Sequence, residues 1–214
     1  MKQREIALLY AGTSLPILLC LTEQIEAARD LLRSVTHLLP PRFYAHLTEK
    51  LDDAFQESHR LENHGTYLKM ALGRTDILQG ISTENVTRFS PVDWTEIKQF
   101  YDRCHPQNWF DSRMLETGFY FGRRMDSQIT SAGGIHVVSS EFKVAALGNI
   151  VTDMQFRGRG QAKSVCAALC LALLKEVDQI GLNVSADNAT AIQLYKSLGF
   201  VEIGTYVEWM VTKP

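Results

Sequence analysis

The stretch that decides the fold is TDMQFRGRGQAKSVCAALC, residues 152–170, in which two glycines stand among arginines directly before an apolar pattern. From residue 162 onward the apolar residues recur at intervals of three and one, which predicts an amphipathic helix. These residues are Ala162, Val165, Cys166, Leu169, Cys170, Leu173, Leu174 and Val177. The glycines and arginines are therefore expected in a loop at the start of a helix.

A loop in this position predicts an anion site. The first N–H groups of a helix have no partner within the helix, and the helix dipole places about half a positive charge there. Glycine lets the backbone approach a ligand, and Arg157, Arg159 and Lys163 add charge. We therefore expect a phosphate or pyrophosphate at the loop. The alternative is a loop that only turns the chain. This stretch is not a Walker loop, because no Gly-Lys-Ser/Thr follows the glycines. It is not a dinucleotide fingerprint either, because the third glycine of that motif is absent.

The sequence around this loop predicts alternating strands and helices. The helix after Gly160 is expected to end at Gly181. A helix is also expected from Pro91, and another over residues 187–199 that ends at Gly199. Strands are expected over residues 86–90, 118–125, 128–139, 142–154, 182–185 and 200–211. The strands before the glycine loop form an antiparallel meander, with a turn at Asp126 and Ser127.

The first third of the chain is predicted to be mainly helical. Apolar residues at helical spacing follow Thr22, a plausible N-cap, and Pro40 and Pro41 stop this first helix. A second helix is expected over residues 43–59, and a short strand over residues 65–72. We expect residues 1–82 to pack on the remainder, residues 83–214, as a lid, a dimer surface or a degenerate second copy of the fold.

Composition limits the classes of function. The chain has 214 residues, 21% of them charged, and a formal net charge of −2, so nothing global indicates a nucleic-acid or membrane partner. No apolar run reaches the length of a membrane span. The four cysteines form no metal-ligand pattern and suggest a reducing compartment. We expect a cytoplasmic protein without a metal.

Two motifs carry a resemblance to a known family. RGRGQA, residues 157–162, resembles the phosphate-binding motif Gln/Arg-x-x-Gly-x-Gly/Ala of the GCN5-related N-acetyltransferases, or GNAT enzymes. NVSADNATAIQLYKSLGF, residues 183–200, resembles their second signature. The residues that fill the two motifs are Arg157, Gly160 and Ala162, then Asn188, Ala191, Tyr195, Gly199 and Phe200. The similarity covers residues 86–211 and is nearest to the FR47-like or glycine-acyltransferase-like branch.

The resemblance implies a fold and a cofactor. The expected fold is the GNAT fold of class α/β (α+β), a mixed and mostly antiparallel twisted sheet flanked by helices, with the mainly helical segment in front. Residues 83–214 would form the acetyltransferase domain. The co-substrate would be acetyl-CoA. The residues implied in binding it are Ile150, Val151, Thr152, Arg157, Gly158, Arg159, Gly160, Gln161, Ala162, Lys163, Asn188, Ala191 and Tyr195.

The resemblance also implies a mechanism, in which a primary amine attacks the thioester directly within a ternary complex. The amine would belong to a small molecule, an amino acid or a peptide N-terminus. Tyr195 would be the general acid that protonates the departing CoA thiolate, although it could instead only pack on its helix. The backbone N–H of Thr152 would stabilise the oxyanion.

The general base and the acceptor site stay open. Asn183 stands where several GNAT enzymes have a glutamate, and an amide cannot act as a base. The candidates for the base are Asp153, His136, Glu208 and a chain of water molecules. The candidates for contacting the acceptor are Trp109, Phe110, His136 and Glu208.

Two other functions remain at this stage. The chain could be a non-catalytic acyl-CoA sensor, which would keep the glycine loop without needing an acid. It could also be an acyltransferase that uses a larger acyl-CoA donor. A homodimer is possible in each case.

Overall fold

The computed structural model describes residues 5–12, 14–108 and 110–214, and the chain divides into two compact units. The first unit comprises residues 1–69, 185–188 and 204–214. The second comprises residues 70–184 and 189–203. Two long strands, β4 (Arg60–Leu72) and β10 (Phe200–Thr212), contribute residues to both units.

The second unit contains the meander that the sequence predicts. Its strands are β5 (Val86–Arg88), β6 (Phe121–Met125), β7 (Gln128–Ser139), β8 (Val144–Thr152) and β9 (Gln179–Ser185). They follow the order β9-β8-β7-β6-β5, in which only the β8–β9 pair is parallel. The helices are α2 (Trp94–Cys104), α3 (Arg113–Glu116), α4 (Gln161–Leu173) and α5 (Ala189–Ser197).

Helices cover both faces of this sheet. Ala132 of β7 lies in the core cluster formed with α2, which includes Ile97 and Phe100. The next residue, Gly133, lies under Val165 of α4, so α2 and α4 cover opposite faces. The mixed α/β architecture is confirmed.

Two glycines were expected to end helices. Gly199 follows α5 with φ 92, and a side chain there would meet the carbonyl oxygen of Arg74, so only glycine fits. Gly181 was expected to end α4, which is wrong. The helix ends at Leu173, and Gly181 lies within β9.

The first unit is built on strands rather than helices. Its order is β1-β2-β3-β10-β4, with β1 (Leu8–Tyr10), β2 (Ile17–Cys20), β3 (Arg42–Leu47) and one helix, α1 (Ile25–Val35). Its core is apolar and packs α1 against the sheet. The fully buried members include Leu18, Ala28, Leu32, Phe43, Ala45 and Leu47.

The prediction of a mainly helical first segment is wrong. The predicted helix over residues 43–59 is strand β3 followed by a short 3-10 turn at Asp52–Ala54. Alternate residues of β3 are buried, which is the period of a strand, and this signal was overlooked. The helix before Pro40 and the strand over residues 65–72 are both present, as α1 and within β4. The compact units differ from a division at residue 82, because the C-terminal residues 204–214 join the first unit.

Candidate functional site

The parallel strands β8 and β9 pair over only part of their length. The register joins Val144–Ala146 to Gln179–Gly181, yet β8 continues to Thr152 and β9 to Ser185. Beyond these three pairs the two strands separate. The peptide groups of residues 147–152 that face away from β7 are therefore open to a ligand with its own hydrogen-bonding groups.

A β-bulge lies in β8 at this separation. Ala132 pairs with Val151 and Gly134 with Gly148, so two residues of β8 stand opposite Gly133 alone. The two are Asn149 and Ile150, and Asn149 adopts φ 55. The side chain of Ile150 packs directly over Gly133, where any side chain would collide with it.

Two tyrosines hold this bulge. The buried Tyr101 of α2 donates a hydrogen bond from its hydroxyl to the backbone oxygen of Asn149, at 2.7 Å. The side-chain amide of Asn149 donates to the hydroxyl of Tyr120, at 2.9 Å. We did not identify these residues from the sequence. The signal available was an asparagine within a strand, since asparagine tolerates positive φ better than most residues.

The end of β8 presents its backbone to the same opening. The N–H of Asp153 donates to the oxygen of Thr130 at 2.9 Å, so Ser131 and Thr152 form a pair without mutual backbone hydrogen bonds. The N–H of Thr152 therefore points away from β7. The hydroxyls of Ser131 and Thr152 lie 2.9 Å apart and fix this end of the strand.

The glycine loop begins α4 in a left-handed conformation. Gly158 and Gly160 have φ 74 and φ 72, which side-chain-bearing residues rarely adopt. A side chain built at either glycine would meet no atom within 4 Å, so the space in front of the loop is open. The first helical hydrogen bond runs from Ser164 to Gly160, at 3.1 Å. The N–H groups of the three preceding residues therefore have no helical partner.

The loop side chains differ in where they point. Arg157 donates from Nε to the oxygen of Thr152 at 3.2 Å, and Arg159 stacks over Phe156 at 5.3 Å. Gln161 is buried, and its Oε1 accepts a hydrogen bond from Thr130 at 2.6 Å. The side chain of Gln161 therefore ties α4 to β7, and only its N–H faces a ligand.

Comparison with known proteins agrees with this geometry. Residues 137–210 match the family model of the FR47-like proteins. A GCN5-related N-acetyltransferase from Kribbella flavida superposes with a TM-score of 0.66 at 14% identity, covering 99% of this chain and 87% of that one. One from Sphaerobacter thermophilus gives 0.63 at 14% identity, covering 97% and 76%. The chain therefore has the fold of the GCN5-related N-acetyltransferases, and residues 137–210 resemble the FR47-like proteins.

Two curated proteins match parts of this chain. A mycothiol acetyltransferase of Clavibacter michiganensis is 24% identical over an alignment of 156 residues that covers 66% of this chain and 49% of that protein. A UPF0039 protein of Synechocystis is 26% identical over 84 residues, covering 39% and 54%. The chain therefore spans about half the length of the curated relatives that it matches.

Tyr195, the predicted acid of the GNAT signature, lies on α5 with its ring buried. The ring packs edge-on against Phe200, with centroids 5.9 Å apart. Burial raises the pKa of the phenol, and the neighbouring thiols of Cys166 and Cys170 raise it further. The phenol is therefore neutral at physiological pH and can donate a hydrogen bond.

Asp153, one of the candidate bases, holds the glycine loop in place. Its carboxylate caps the short 3-10 turn by accepting from the N–H of Gln155, at 3.0 Å. The same carboxylate lies 3.5 Å from the guanidinium of Arg103 and 3.7 Å from the sulfur of Cys104. These contacts occupy the carboxylate in shaping the backbone before Arg157.

The candidate acceptor residues of the second unit lie on different elements. His136 stands over Gly148 at a second bulge, and its partial burial there lowers its pKa. Phe110 packs among Trp94, Tyr101 and Tyr120, with ring centroids 4.7–5.4 Å away. Trp109 lies outside the described residues.

The remaining predicted residues flank α5 or belong to the first unit. Asn188 is exposed directly before α5, and its N–H donates to the oxygen of Ser185 at 3.0 Å. Ala191 lies on α5. Asn183 is exposed on β9. Glu208 lies on β10 within the first unit and is 9% exposed.

Neither a membrane span nor a metal cluster is found in the part of the chain that the structure describes. No described helix is long and apolar enough to cross a membrane. Within residues 5–12, 14–108 and 110–214, no group of three or more His, Cys, Asp or Glu side chains is placed to hold a metal ion.

Proposed function

We propose that the protein transfers an acetyl group from acetyl-CoA to a primary amine of a small molecule, an amino acid or a peptide N-terminus. The amine nitrogen attacks the thioester carbonyl directly, the carbon–sulfur bond breaks, and CoA leaves as a thiolate. The nitrogen loses its proton to a base or to water. The reaction takes place in the cytoplasm, in keeping with four cysteines that are all free thiols.

The observation that carries this proposal is the separation of β8 from β9 directly before the glycine loop. The opening has the shape for an extended amide chain, and the pantetheine arm of CoA is such a chain. In this proposal the arm pairs with the backbone of residues 150–152. The acetyl oxygen then accepts a hydrogen bond from the N–H of Thr152, which strengthens as charge develops on that oxygen.

The pyrophosphate of CoA fits the start of α4. The N–H groups of Gln161, Ala162 and Lys163 have no helical partner there, and no acidic residue stands in the first turn. The open space in front of Gly158 and Gly160 lets the backbone approach the phosphate oxygens closely. Arg157, Arg159 and Lys163 add positive charge around the site.

The chemistry needs proximity first and proton transfer second. Holding the amine against the thioester supplies about 7 kcal/mol or more of the barrier reduction. Tyr195 donates a hydrogen bond to the departing sulfur. Because its pKa is raised above the ordinary value, complete transfer of the phenol proton to a thiolate of pKa about 8.5 is uphill. Water then completes the protonation of CoA.

A second function is an acyl-CoA sensor without catalysis. Two observations favour it. Asn183 provides no carboxylate on β9, and Asp153 is engaged as a cap and with Arg103. Such a protein would bind acetyl-CoA at the glycine loop and release no thiol. If the protein is instead an acyltransferase for a larger donor, acyl-CoA should bind more tightly as its acyl chain lengthens.

Calorimetry with acetyl-CoA, followed by a free-thiol assay against amines, amino acids and peptides, tests the proposal. We expect micromolar binding and turnover with one acceptor class. The Tyr195→Phe variant should lower kcat by about tenfold to a hundredfold, which is the effect of losing a hydrogen bond to the charged sulfur, and leave the Kd for acetyl-CoA within about twofold. Lys196→Arg, on the exposed side of α5, is the matched control.

The binding and turnover assays distinguish the transferase from the alternatives. Binding without turnover on any acceptor would replace the transferase with the sensor. Absence of binding would mean that the glycine loop only turns the chain. Full activity of Tyr195→Phe would assign Tyr195 to packing alone.

A further inference from the structure

A cluster of polar aromatic residues lies on the sheet face of the first unit that points away from its core. Every second residue of β3 is buried against α1, and the intervening Tyr44 and His46 face the other side, partly exposed. On the neighbouring strand β10, Glu208 stands directly opposite His46. Cross-strand partners share a face, so these three side chains stand together.

Glu208 is the centre of this cluster. Its Oε2 accepts a hydrogen bond from the hydroxyl of Tyr44 at 2.6 Å, and its Oε1 accepts one from Tyr206 at 3.2 Å. The Nε2 atom of His46 lies 3.5 Å from Oε1. Tyr67 of β4 also interacts with this carboxylate, and that interaction, after burial, raises the pKa of its phenol. Three phenols therefore converge on one carboxylate.

The rings form an ordered wall around it. Tyr206 is stacked between His46 and Tyr67, with centroids 5.1 Å and 5.5 Å away and planes within 25°. Tyr44 meets His46 and His64 edge-on, at 5.5 Å and 5.3 Å. Tyr44 and Tyr67 keep part of their surfaces exposed, so the wall has an open side.

The negative charge of the cluster is not balanced within it. Burial lowers the pKa of His46, against the attraction of Glu208, which keeps the imidazole neutral at neutral pH. The phenols are neutral because burial and Glu208 raise their pKa values. Among the described residues, no Lys or Arg side chain forms an ion pair with Glu208. A buried carboxylate without a cation is costly, and neutral hydrogen bonds offset only part of that cost.

We propose that Glu208 and the phenols of Tyr44, Tyr67 and Tyr206 form a binding site for a primary alkylammonium group. Each phenol oxygen donates its proton toward Glu208 and keeps lone pairs that accept N–H from the ligand. The carboxylate supplies the opposite charge, and the exposed ring faces contact the methylene groups next to the nitrogen. The binding of this ammonium group does not rest on the proposed function.

Equilibrium binding to the full chain without acetyl-CoA tests the site. The probes are n-butylammonium chloride and its neutral counterpart 1-butanol. Their binding is measured by NMR of the tyrosine ring protons and by calorimetry at pH 7. We expect butylammonium to bind at least about tenfold more tightly than 1-butanol, which is the effect of a charge-assisted hydrogen bond. Tetramethylammonium, which has no N–H, should bind more weakly than butylammonium.

Variants assign the binding to the cluster. Glu208→Gln keeps the shape of the side chain and should weaken butylammonium binding by about tenfold or more. Glu202→Gln, an exposed glutamate on the same strand, is the matched control and should change nothing. Tyr67→Phe keeps the ring and removes one oxygen, so we expect a loss of about twofold to fivefold.

Equal affinity for 1-butanol and butylammonium would overturn the proposal, as would undiminished butylammonium binding by Glu208→Gln. The proposal would also fall if the wild-type protein did not bind butylammonium at 20 mM, a concentration on the order of ten times a weak millimolar Kd. In the last case the carboxylate only ties β3, β4 and β10 together. Displacement of the amine by equal concentrations of potassium would assign the site to an inorganic cation. If acetyl-CoA binding failed while butylammonium bound, the ammonium site would stand and the transferase proposal would fall.

Discussion

Removing the hydroxyl of Tyr101 should loosen the bulge at Asn149 without disturbing the core. Tyr101 is 1% exposed, and its hydroxyl lies 2.7 Å from the backbone oxygen of Asn149. In Tyr101→Phe the ring keeps its contacts with Phe100 and Phe110, whose centroids lie 5.5 Å and 4.7 Å away. The variant therefore removes one hydrogen bond and leaves a buried carbonyl unpaired, which costs about 1–3 kcal/mol.

This cost should appear in two measurements. Asn149 holds φ 55, a conformation that is itself unfavourable by about 1–2 kcal/mol, so the bulge depends on its surroundings. We expect urea unfolding to show a free energy lower by about 1–3 kcal/mol. We also expect the Kd for acetyl-CoA to rise about fivefold, which corresponds to about 1 kcal/mol of lost alignment of residues 150–152.

The control for this variant is Tyr10→Phe. Tyr10 is 53% exposed, so the loss of its hydroxyl should change the unfolding free energy by less than about 0.5 kcal/mol. An unchanged unfolding free energy in Tyr101→Phe would refute the reasoning about the hydrogen bond. A lower stability with an unchanged Kd would show that the bulge does not position the binding strand.

Two further predictions concern the glycine loop and a buried histidine. Gly160→Ala should lower the free energy of unfolding by about 1–2 kcal/mol, because φ 72 is unfavourable for alanine although space is available, and calorimetry should show weaker acetyl-CoA binding. The control Gly204→Ala, at an open site without positive φ, should bind acetyl-CoA normally. Equal acetyl-CoA affinities of the two variants would contradict the argument. Burial, and to a lesser extent Lys213, lowers the pKa of His59 below its ordinary 6.5, so the unfolded chain binds the proton more readily and stability is lost as pH falls from 6.5 through the lower folded pKa. In His59→Phe the free energy of unfolding should depend less on pH between about 5 and 6.5. His37→Gln, at an exposed site, should leave this pH dependence unchanged. If His59→Phe also left it unchanged, the pH dependence would belong to other groups.

The second unit was predictable because its signals are local. The apolar spacing after Gly160 requires a helix, and the residues before it alternate in hydropathy as a meander does. The glycine loop was predicted for the same reason, since positive φ and a helix start are properties of a few adjacent residues. Tyr101 and Asn149 could not be paired from the sequence, because the hydrogen bond joins elements 48 residues apart.

The first unit was misread because its strands acquire their partners at a distance. Strand β3 pairs with β10, so that Ala45 faces Trp209 and His46 faces Glu208. Nothing within residues 43–59 reveals that partner, and a run of helix-forming residues after Leu47 favoured a helix. The polar cluster around Glu208 was missed for the same reason, although Glu208 itself had been a candidate.

The pairing of β3 with β10 also sets the order in which the chain can fold during synthesis. The strands β1, β2 and β3 are translated early, but β10, which pairs with the other edge of β3, is translated only after β4 to β9. At a synthesis rate of about 5–20 residues per second, the edge of β3 waits roughly ten seconds or more for residues 207–212. The second unit can complete its meander in that interval. Until residues 207–212 are made, the nascent chain thus carries an unpaired strand edge, which can pair with another chain.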